Sequence, residues 1–534
     1  MKSSKVIRLS SLLIVLTGVS AQQADNEAFT PFPETVTLAV PKNVPADFRL
    51  PEGDTTDNNR VTRYIKDKVN IEMAYPFVAT TAEQYEQRIN LMVASGDIPD
   101  ALSVDAQLFA ELAEGGLLED LSPYYDDNAS PLLKTIHEQT EGVALERATV
   151  DGQLLGIPSV TKDGDAVNFM WIRQDWLENL GLEAPQTLEE LHEVARAFTE
   201  GDPDGNGQDD TQGIGGTSEW QSSFSPIFAA QGAFPGNWVE SSAGEVVYGT
   251  VAPEMKEALT TLQSWYGEGL IDPEFATLDT DGLVQKVSSG RVGIVFGPWW
   301  YSDWPLKFTL ENNAEADWTP YLTPLSADGK FNAFYGSNTG TFFVVRKGYE
   351  HPEAAFKVVN LQAEYEAPSA DLDINYLSYS DQPELNVLWA AVWPTGTGFT
   401  RLDWLPFHAL NVQNALDTGK TDGLAPNESK ILDTVERLGS AELTPADWGF
   451  ATAWAEGVPL LADERIVPHR EIYQADTVVA DNRIWPTLEK REDETMLRIL
   501  TGQLPIEAFD TFSEEWNRLG GTEILTTVQE AVAE

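Results

Sequence analysis

The chain has 534 residues, too many for one ordinary hydrophobic core, so two or more domains are expected. It carries 34 basic and 85 acidic residues for a net charge of −51, a field that repels nucleic acid and anionic membrane surfaces. It has no cysteine, so disulfides and thiol nucleophiles are excluded, and stability must come from burial or from metal.

Lys2 to Arg8 form a basic start, Leu9 to Thr17 an apolar run too short to span a membrane, and Val19-Ser20-Ala21 a small-residue cleavage site. Residues 1–21 therefore read as a secretory signal peptide. Leu16-Thr17-Gly18 matches the start of a bacterial lipobox, but Val19 stands where the lipid-bearing Cys would be, so no lipid anchor is expected there. No later stretch is long and apolar enough for a transmembrane helix. The expectation is an exported, acidic, soluble protein, periplasmic or extracellular.

After a polar spacer, residues 22–33, Val36 to Val40 reads as a strand, Asn58 to Val69 as a helix and Ile71 to Tyr75 as a second strand. Thr81 and Gln84 can close a capping box, and Ala82, Tyr85, Ile89, Met92 and Val93 then make one apolar stripe ending at Gly96. A third strand follows at Asp100 to Val104. Leu154 to Pro158 and Ala166 to Ile172 look like strand pieces around a polar break, Thr161 to Asp165. Asp175 to Leu180 is a short helix, and Thr187 with Glu190 caps the next, whose stripe is Leu188, Leu191, Ala195 and Phe198. Met255 to Tyr266 is amphipathic, Val292 to Phe296 a buried-type strand, Phe342 to Val345 another strand, and Pro352 opens a further helix. Between Glu364 and Pro445 periodicity is weak and long loops are expected; three C-terminal helices follow, at 496–500, 506–519 and 522–532. Alternating strands and helices imply an α/β fold with mainly parallel sheets.

The capped helix delivers the chain into Gly201 to Gly213, GDPDGNGQDDTQG. Asp202, Asp204, Asn206 and Asp210 place oxygens at loop positions 1, 3, 5 and 9, Gln208 offers a carbonyl at 7, and Gly207 sits at the sharp turn. Hard cations want six to eight oxygen ligands in this arrangement. Gly213 replaces the bidentate Glu of an EF-hand at position 12, and no second helix follows, so a structural Ca²⁺ loop is favoured over a sensor. A solvated Asp/Asn/Gly turn is the alternative.

Sugar rings pack their C–H faces on aromatic side chains while their hydroxyls take hydrogen bonds. Trp299-Trp300-Tyr301 follows a strand and a Gly-Pro turn, where three large aromatics cannot all face one core. Trp171, Trp220, Trp389, Trp393 and Trp404 complete the aromatic candidates, and Arg401 could grip a carboxylate if the sugar is a uronate. His137, His192, His351, His408 and His469 are isolated, and no nucleophile elbow or phosphate loop occurs. No enzyme is indicated. With 85 acidic residues, carboxylate pairs are expected in any fold and single out no site, which leaves a secreted glycan-degrading hydrolase or lyase as the second reading.

Taken in order, Ala94 to Asp100 (ASGDIPD), Asp151 to Pro158 (DGQLLGIP), Ile172 to Leu182 (IRQDWLENLGL), Gly269 to Pro273 (GLIDP), Gly290 to Trp299 and Trp516 to Gly521 (WNRLGG) resemble extracellular solute-binding proteins of bacterial ABC sugar importers, the maltose-binding-like family 1 group. The resemblance implies a two-lobe periplasmic-binding-protein type II fold with a cleft between lobes: residues 34–163 with 331–395 in lobe 1, and 164–330 with 396–534 in lobe 2. The acidic loop is similar to the calcium loop of long oligosaccharide-binding members, including alginate-oligosaccharide binders, which implies Thr211 as a further ligand. The resemblance also implies that Trp299 stacks on a sugar ring, that Trp220 lines the cleft, and that Asp105 and Gln107 supply polar contacts from lobe 1. It implies an oligosaccharide ligand, ABC permease partners and a monomer, or a chemoreceptor-coupled binding protein.

Overall fold

A computed structural model describes residues 27–44, 49–241, 244–367, 374–377, 379, 392–440, 443–472, 475, 478–479 and 483–533. The expected signal peptide and Trp389 lie outside them.

The first lobe opens with β1 (Val36–Ala39), α1 (Arg60–Val69) and β2 (Ile71–Ala74); β1 and β2 pair in parallel because α1 carries the chain back between them. Asn59 starts α1, its Oδ1 accepting from the Val61 and Thr62 N–H groups at 3.0 and 3.1 Å. Val61, Ile65 and Val69 are buried along one face, each contributing roughly 1.5–3 kcal/mol. Next come α2 (Ala82–Ser95), β3 (Ala101–Asp105), α3 (Ala106–Glu114) and β4 (Ile157–Pro158). Thr81 accepts from the Gln84 N–H at 3.2 Å, but the Gln84 side chain reaches back to Thr80.

The second lobe holds β5 (Phe169–Arg173), α4 (Leu188–Glu200), β6 (Gln212–Ile214), β7 (Val292–Gly297) and β8 (Trp318–Tyr321), in sheet order β6-β7-β5-β8. The Thr187–Glu190 capping box is complete, at 3.2 and 3.3 Å. The chain then forms β9 (Phe331–Phe334), β10 (Thr341–Val345) and α5 (Glu353–Glu366). β10 lies between β3 and β4 in the first lobe, while β9 pairs with β11 (Ile466–His469).

The sheets are mixed rather than mainly parallel. β5 and β10 run antiparallel to both of their neighbours. These are the two strands that the chain enters from the opposite lobe, without a crossover helix to reverse its direction. A second difference concerns residues 364–445, which contain α6 (Trp404–Thr418) and α7 (Pro426–Glu436). Leu405, His408, Val412 and Ala415 bury one face of α6, but Phe407, Leu410 and Leu416 on other faces are exposed, which blurs the apolar stripe.

One core gathers Leu38, Ile65, Leu102, Phe343 and Val359, and another Ile172, Trp176, Phe198, Ile294 and Met496 from α8 (Trp485–Leu500). A smaller cluster joins Phe169, Trp299, Phe331, Leu405 and Trp454. The architecture is a two-lobe α/β fold.

Candidate functional site

Among the described residues the chain passes between the two lobes three times: between Pro158 and Phe169, between Phe334 and Thr341, and between Phe399 and Leu405. The crossings are bound edge to edge. Thr161 N–H donates to the Asn338 carbonyl at 3.0 Å, Thr400 N–H to Val160 at 2.8 Å, and Asp163 N–H to Leu402 at 2.9 Å. Arg470, just past β11, donates to both Asp163 oxygens at 3.0 and 2.6 Å and to Asn338 Oδ1 at 3.0 Å. Three short segments sewn together in this way make a hinge: few backbone angles need change for the lobes to rotate.

Beside the hinge, Lys162 stands over two indoles, with its ammonium 5.7 Å from the Trp299 ring centroid and 5.2 Å from that of Trp404. Lys162 also pairs with Asp165 at 3.3 Å, and Asp165 accepts from Trp299 Nε1 at 2.9 Å. Trp454 packs against both rings, at 5.3 and 5.8 Å. Trp404 donates from Nε1 to the Glu366 carbonyl at 2.7 Å, and burial pushes the Glu366 carboxyl up to about 7. Trp299 is nearly buried, whereas Trp404 keeps part of its surface open.

The other candidates fall elsewhere. Trp171, Trp220 and Trp393 are fully buried and offer no face to a ligand. Trp171 lies on β5, covered on both sides, with its indole N–H shared between the Gly297 and Pro298 carbonyls. Trp220 packs edge-on against Phe228 and donates to Asp493. Tyr301 lies so close over Gly297 that a Cβ there would sit 2.1 Å from the ring, so only glycine fits; burial pushes its hydroxyl up to about 12. Trp300 is half-buried, between Tyr301 and Trp304. Arg401 is held by Asp403 through Nε and Nη2, both at 2.8 Å, and Asp403 is also held by Gln139, so this guanidinium is already engaged. Asp105 is exposed at the end of β3, opposite the first residue of β10, and caps α3 through the Leu108 N–H at 2.8 Å; Gln107 is exposed and meets Glu111.

In the acidic loop, Asp202, Gly205 and Gly207 take positive φ, which folds the chain tightly. The Asn206 amide donates to Asp204 Oδ2 at 2.9 Å and Asp210 Oδ1 at 3.1 Å, while Gly207 N–H donates to Asp202. Burial and the carboxylates of Asp210 and Asp202 push the Asp204 carboxyl up. Thr211 is buried and donates its hydroxyl to Phe198 at the end of α4. Among the described residues no group of three or more His, Cys, Asp or Glu is gathered closely enough to hold a metal. The donor set is nonetheless all oxygen, which suits a hard cation, and the Asn206 amide bridges two of the carboxylates.

The model of the bacterial extracellular solute-binding protein family matches residues 53–367, more than half of the chain. The chain belongs to that family. Among curated members it is similar to lipoprotein LipO of Bacillus subtilis, 32% identical over 222 residues, which are 40% of this chain and 41% of LipO. It is also similar to the fructooligosaccharide ABC transporter substrate-binding protein FusA of Streptococcus pneumoniae serotype 4, 28% identical over 317 residues, 57% of each chain. The matches thus span about half the length of these relatives. The crystal structure of the alginate-binding protein AlgQ2 without calcium ion superposes with a TM-score of 0.61 at 17% identity, over 95% of this chain and 100% of that one, which shows the fold. It is the periplasmic-binding-protein type II fold of this family.

Several residues at the hinge escape sequence reasoning. Lys162 and Asp165 lie in the polar break between two strand pieces, beside the Asp163 boundary that the resemblance implies, a signal that reads equally as a loop. Asn338, Trp454 and Arg470 carry no local signal, because long-range packing alone brings them there. Lys42 Nζ and Tyr75 Oη, following β1 and β2, are buried without a hydrogen-bond partner among the described residues. Burial lowers the Lys42 ammonium to about 7.

Proposed function

We propose that this chain is the extracellular binding component of an ABC importer: it captures an oligosaccharide between its lobes and delivers it to the permease. The observation that carries the reading is the hinge with its adjoining aromatic wall, Trp299 and Trp404 flanking Lys162 beside three crossings. A sugar that touches both lobes interacts more strongly with the closed form and so shifts the population toward it. The residues bind, orient and exclude water; no bond is broken. Trp404 keeps part of its indole exposed for a sugar ring, and Lys162 with Asp165 forms a charged pair beside it. The protein works outside the cytoplasmic membrane as a monomer, its partners being the sugar and the permease.

We further propose a structural Ca²⁺ in the 201–213 loop, held by the side chains of Asp202, Asp204, Asn206 and Asp210 and by the Gln208 carbonyl. The ion would neutralise the carboxylates that now push up Asp204. Thr211 is left out of this set, because its hydroxyl is engaged with Phe198.

Calorimetry with a panel of oligosaccharides, followed by recovery of the sugar, tests the reading. Saturable binding with the sugar recovered intact is expected. Reducing ends accumulating with time would sink it in favour of a glycan-degrading enzyme.

A further inference from the structure

A cavity of about 390 Å³ opens between β9, the segments that follow β6 and the first two crossings. Its volume is within the roughly 300–1,000 Å³ of small-ligand sites. Asn168 lies on the first crossing, Asn332 and Phe334 on β9, and Gln221, Ser225 and Asn237 on the segments that follow β6. Among the described residues no Asp, Glu, Lys or Arg lines it, although the chain carries 34 basic and 85 acidic residues. The lining is uncharged: four side-chain amides and two serine hydroxyls set among alanine, proline, glycine and three phenylalanines.

Its polar groups are pre-set. Asn168 Nδ2 donates to the Ser222 carbonyl at 3.0 Å and to Ser225 Oγ at 2.9 Å, and Asn237 Nδ2 donates to the Pro235 carbonyl at 2.8 Å. That leaves the Oδ1 atoms of both asparagines able to accept from a ligand hydroxyl. Gln221 is steadied by Asp493 at 3.1 Å, so a carboxylate stands behind the lining on that side. Asn332 Oδ1 meets His469 Nε2 at 3.0 Å, and the His469 ring packs on Phe234 at 4.2 Å, where burial holds its pKa below the usual imidazole value.

We infer that this cavity is a subsite for a neutral sugar ring and that the ligand is a neutral oligosaccharide rather than a polyuronate. The inference rests on the importer reading above. A carboxylate placed here would lose its water with no cation in the described lining to replace it, which is costly. The described cations at the crossings are held: Lys162 by Asp165, Arg401 by Asp403, Arg470 by Asp163, and Arg147 by the Ser337 and Thr339 hydroxyls of the second crossing. Neutral hydroxyls need only the amide oxygens and an aromatic face such as that of Phe334, which the cavity has.

The test is calorimetry on the full chain with neutral fructo-, gluco- and galacto-oligosaccharides and with oligogalacturonate of matched length. The parent is compared with Asn168→Ala and with Asn237→Ala, each checked for an unchanged melting temperature. The expected result is binding confined to a neutral sugar and weakened at least tenfold in both variants. Oligogalacturonate binding more tightly than every neutral sugar overturns the inference and leaves the importer reading standing. Neutral binding untouched by both substitutions also overturns it. If no sugar of either class binds, the importer reading itself falls, and this inference with it.

Discussion

Arg470 donates from both terminal nitrogens to the two oxygens of Asp163, tying the end of β11 to the first crossing beside the third. Bidentate pairing of this kind fixes direction as well as distance. Both side chains keep some contact with solvent, Arg470 at 47% exposure, so screening holds the stability contribution below about 1 kcal/mol. The larger effect of the pair falls on hinge geometry.

Arg470→Ala is therefore expected to leave the melting temperature nearly unchanged while broadening the distribution of lobe orientations and weakening sugar binding several-fold. Small-angle scattering with and without ligand, beside calorimetry, reads both effects. Unaltered scattering with unaltered affinity would reduce the pair to an ordinary surface ion pair.

Trp171 and Trp404 should separate folding from binding. Trp171 is wholly enclosed, so Trp171→Ala is expected to cost about 3–5 kcal/mol of stability. The fraction that still folds should bind sugar with parental affinity. Trp404 is partly exposed, and Trp404→Ala should weaken binding about tenfold, near the upper end of what one aromatic contact is worth. Denaturant titration and calorimetry on both variants check the contrast; a Trp171→Ala protein that is stable but fails to bind would reverse the assignment.

The same two residues mark what the sequence can tell. Caps, helix faces and strand positions were legible because their causes are local: Thr187 meets Glu190 within one turn, and Val61, Ile65 and Val69 share a face by spacing alone. Which tryptophan faces a ligand is not local. β5 is buried on both faces, so its pattern carries no sign of which side is core. Arg401 reads from the sequence either as a grip for a carboxylate or as an ion-pair residue with Asp403 two positions on; the fold decides for the pair and adds Gln139 behind it. Strand direction was missed for a related reason: β5 and β10 reverse because the chain enters them from the other lobe, a property of topology and not of composition.

The acidic loop makes a prediction of its own. If Ca²⁺ occupies it at ~100 times its Kd, the metal adds ~2.7 kcal/mol of stability, which a chelator should remove. Thermal melts in calcium and in chelator are expected to differ for the parent and to coincide for an Asp202→Ala, Asp204→Ala variant. Thr211→Val should keep the calcium response, because its hydroxyl serves the end of α4. A parent that melts identically in both buffers would mean an unfilled loop.

Glu492 on α8 is almost wholly buried, accepting from the Tyr248 hydroxyl at 2.7 Å and from Thr250 at 2.8 Å. Burial outweighs those bonds and pushes its carboxyl up to about 7, from 4.5 when exposed. Between those values the folded chain holds a proton that the unfolded chain has released, so this group's contribution to stability falls as pH rises from 4.5 to 7 and stays low above. The loss is on the order of 3 kcal/mol. Glu492→Gln keeps a neutral side chain of nearly the same shape at every pH. Its melting temperature should therefore match the parent's near pH 4 and exceed it at pH 8, with the gap opening between. A gap that is constant across this range, or that closes as pH rises, would show that Glu492 stays ionised in the fold and that its two hydroxyl donors, rather than burial, set its charge.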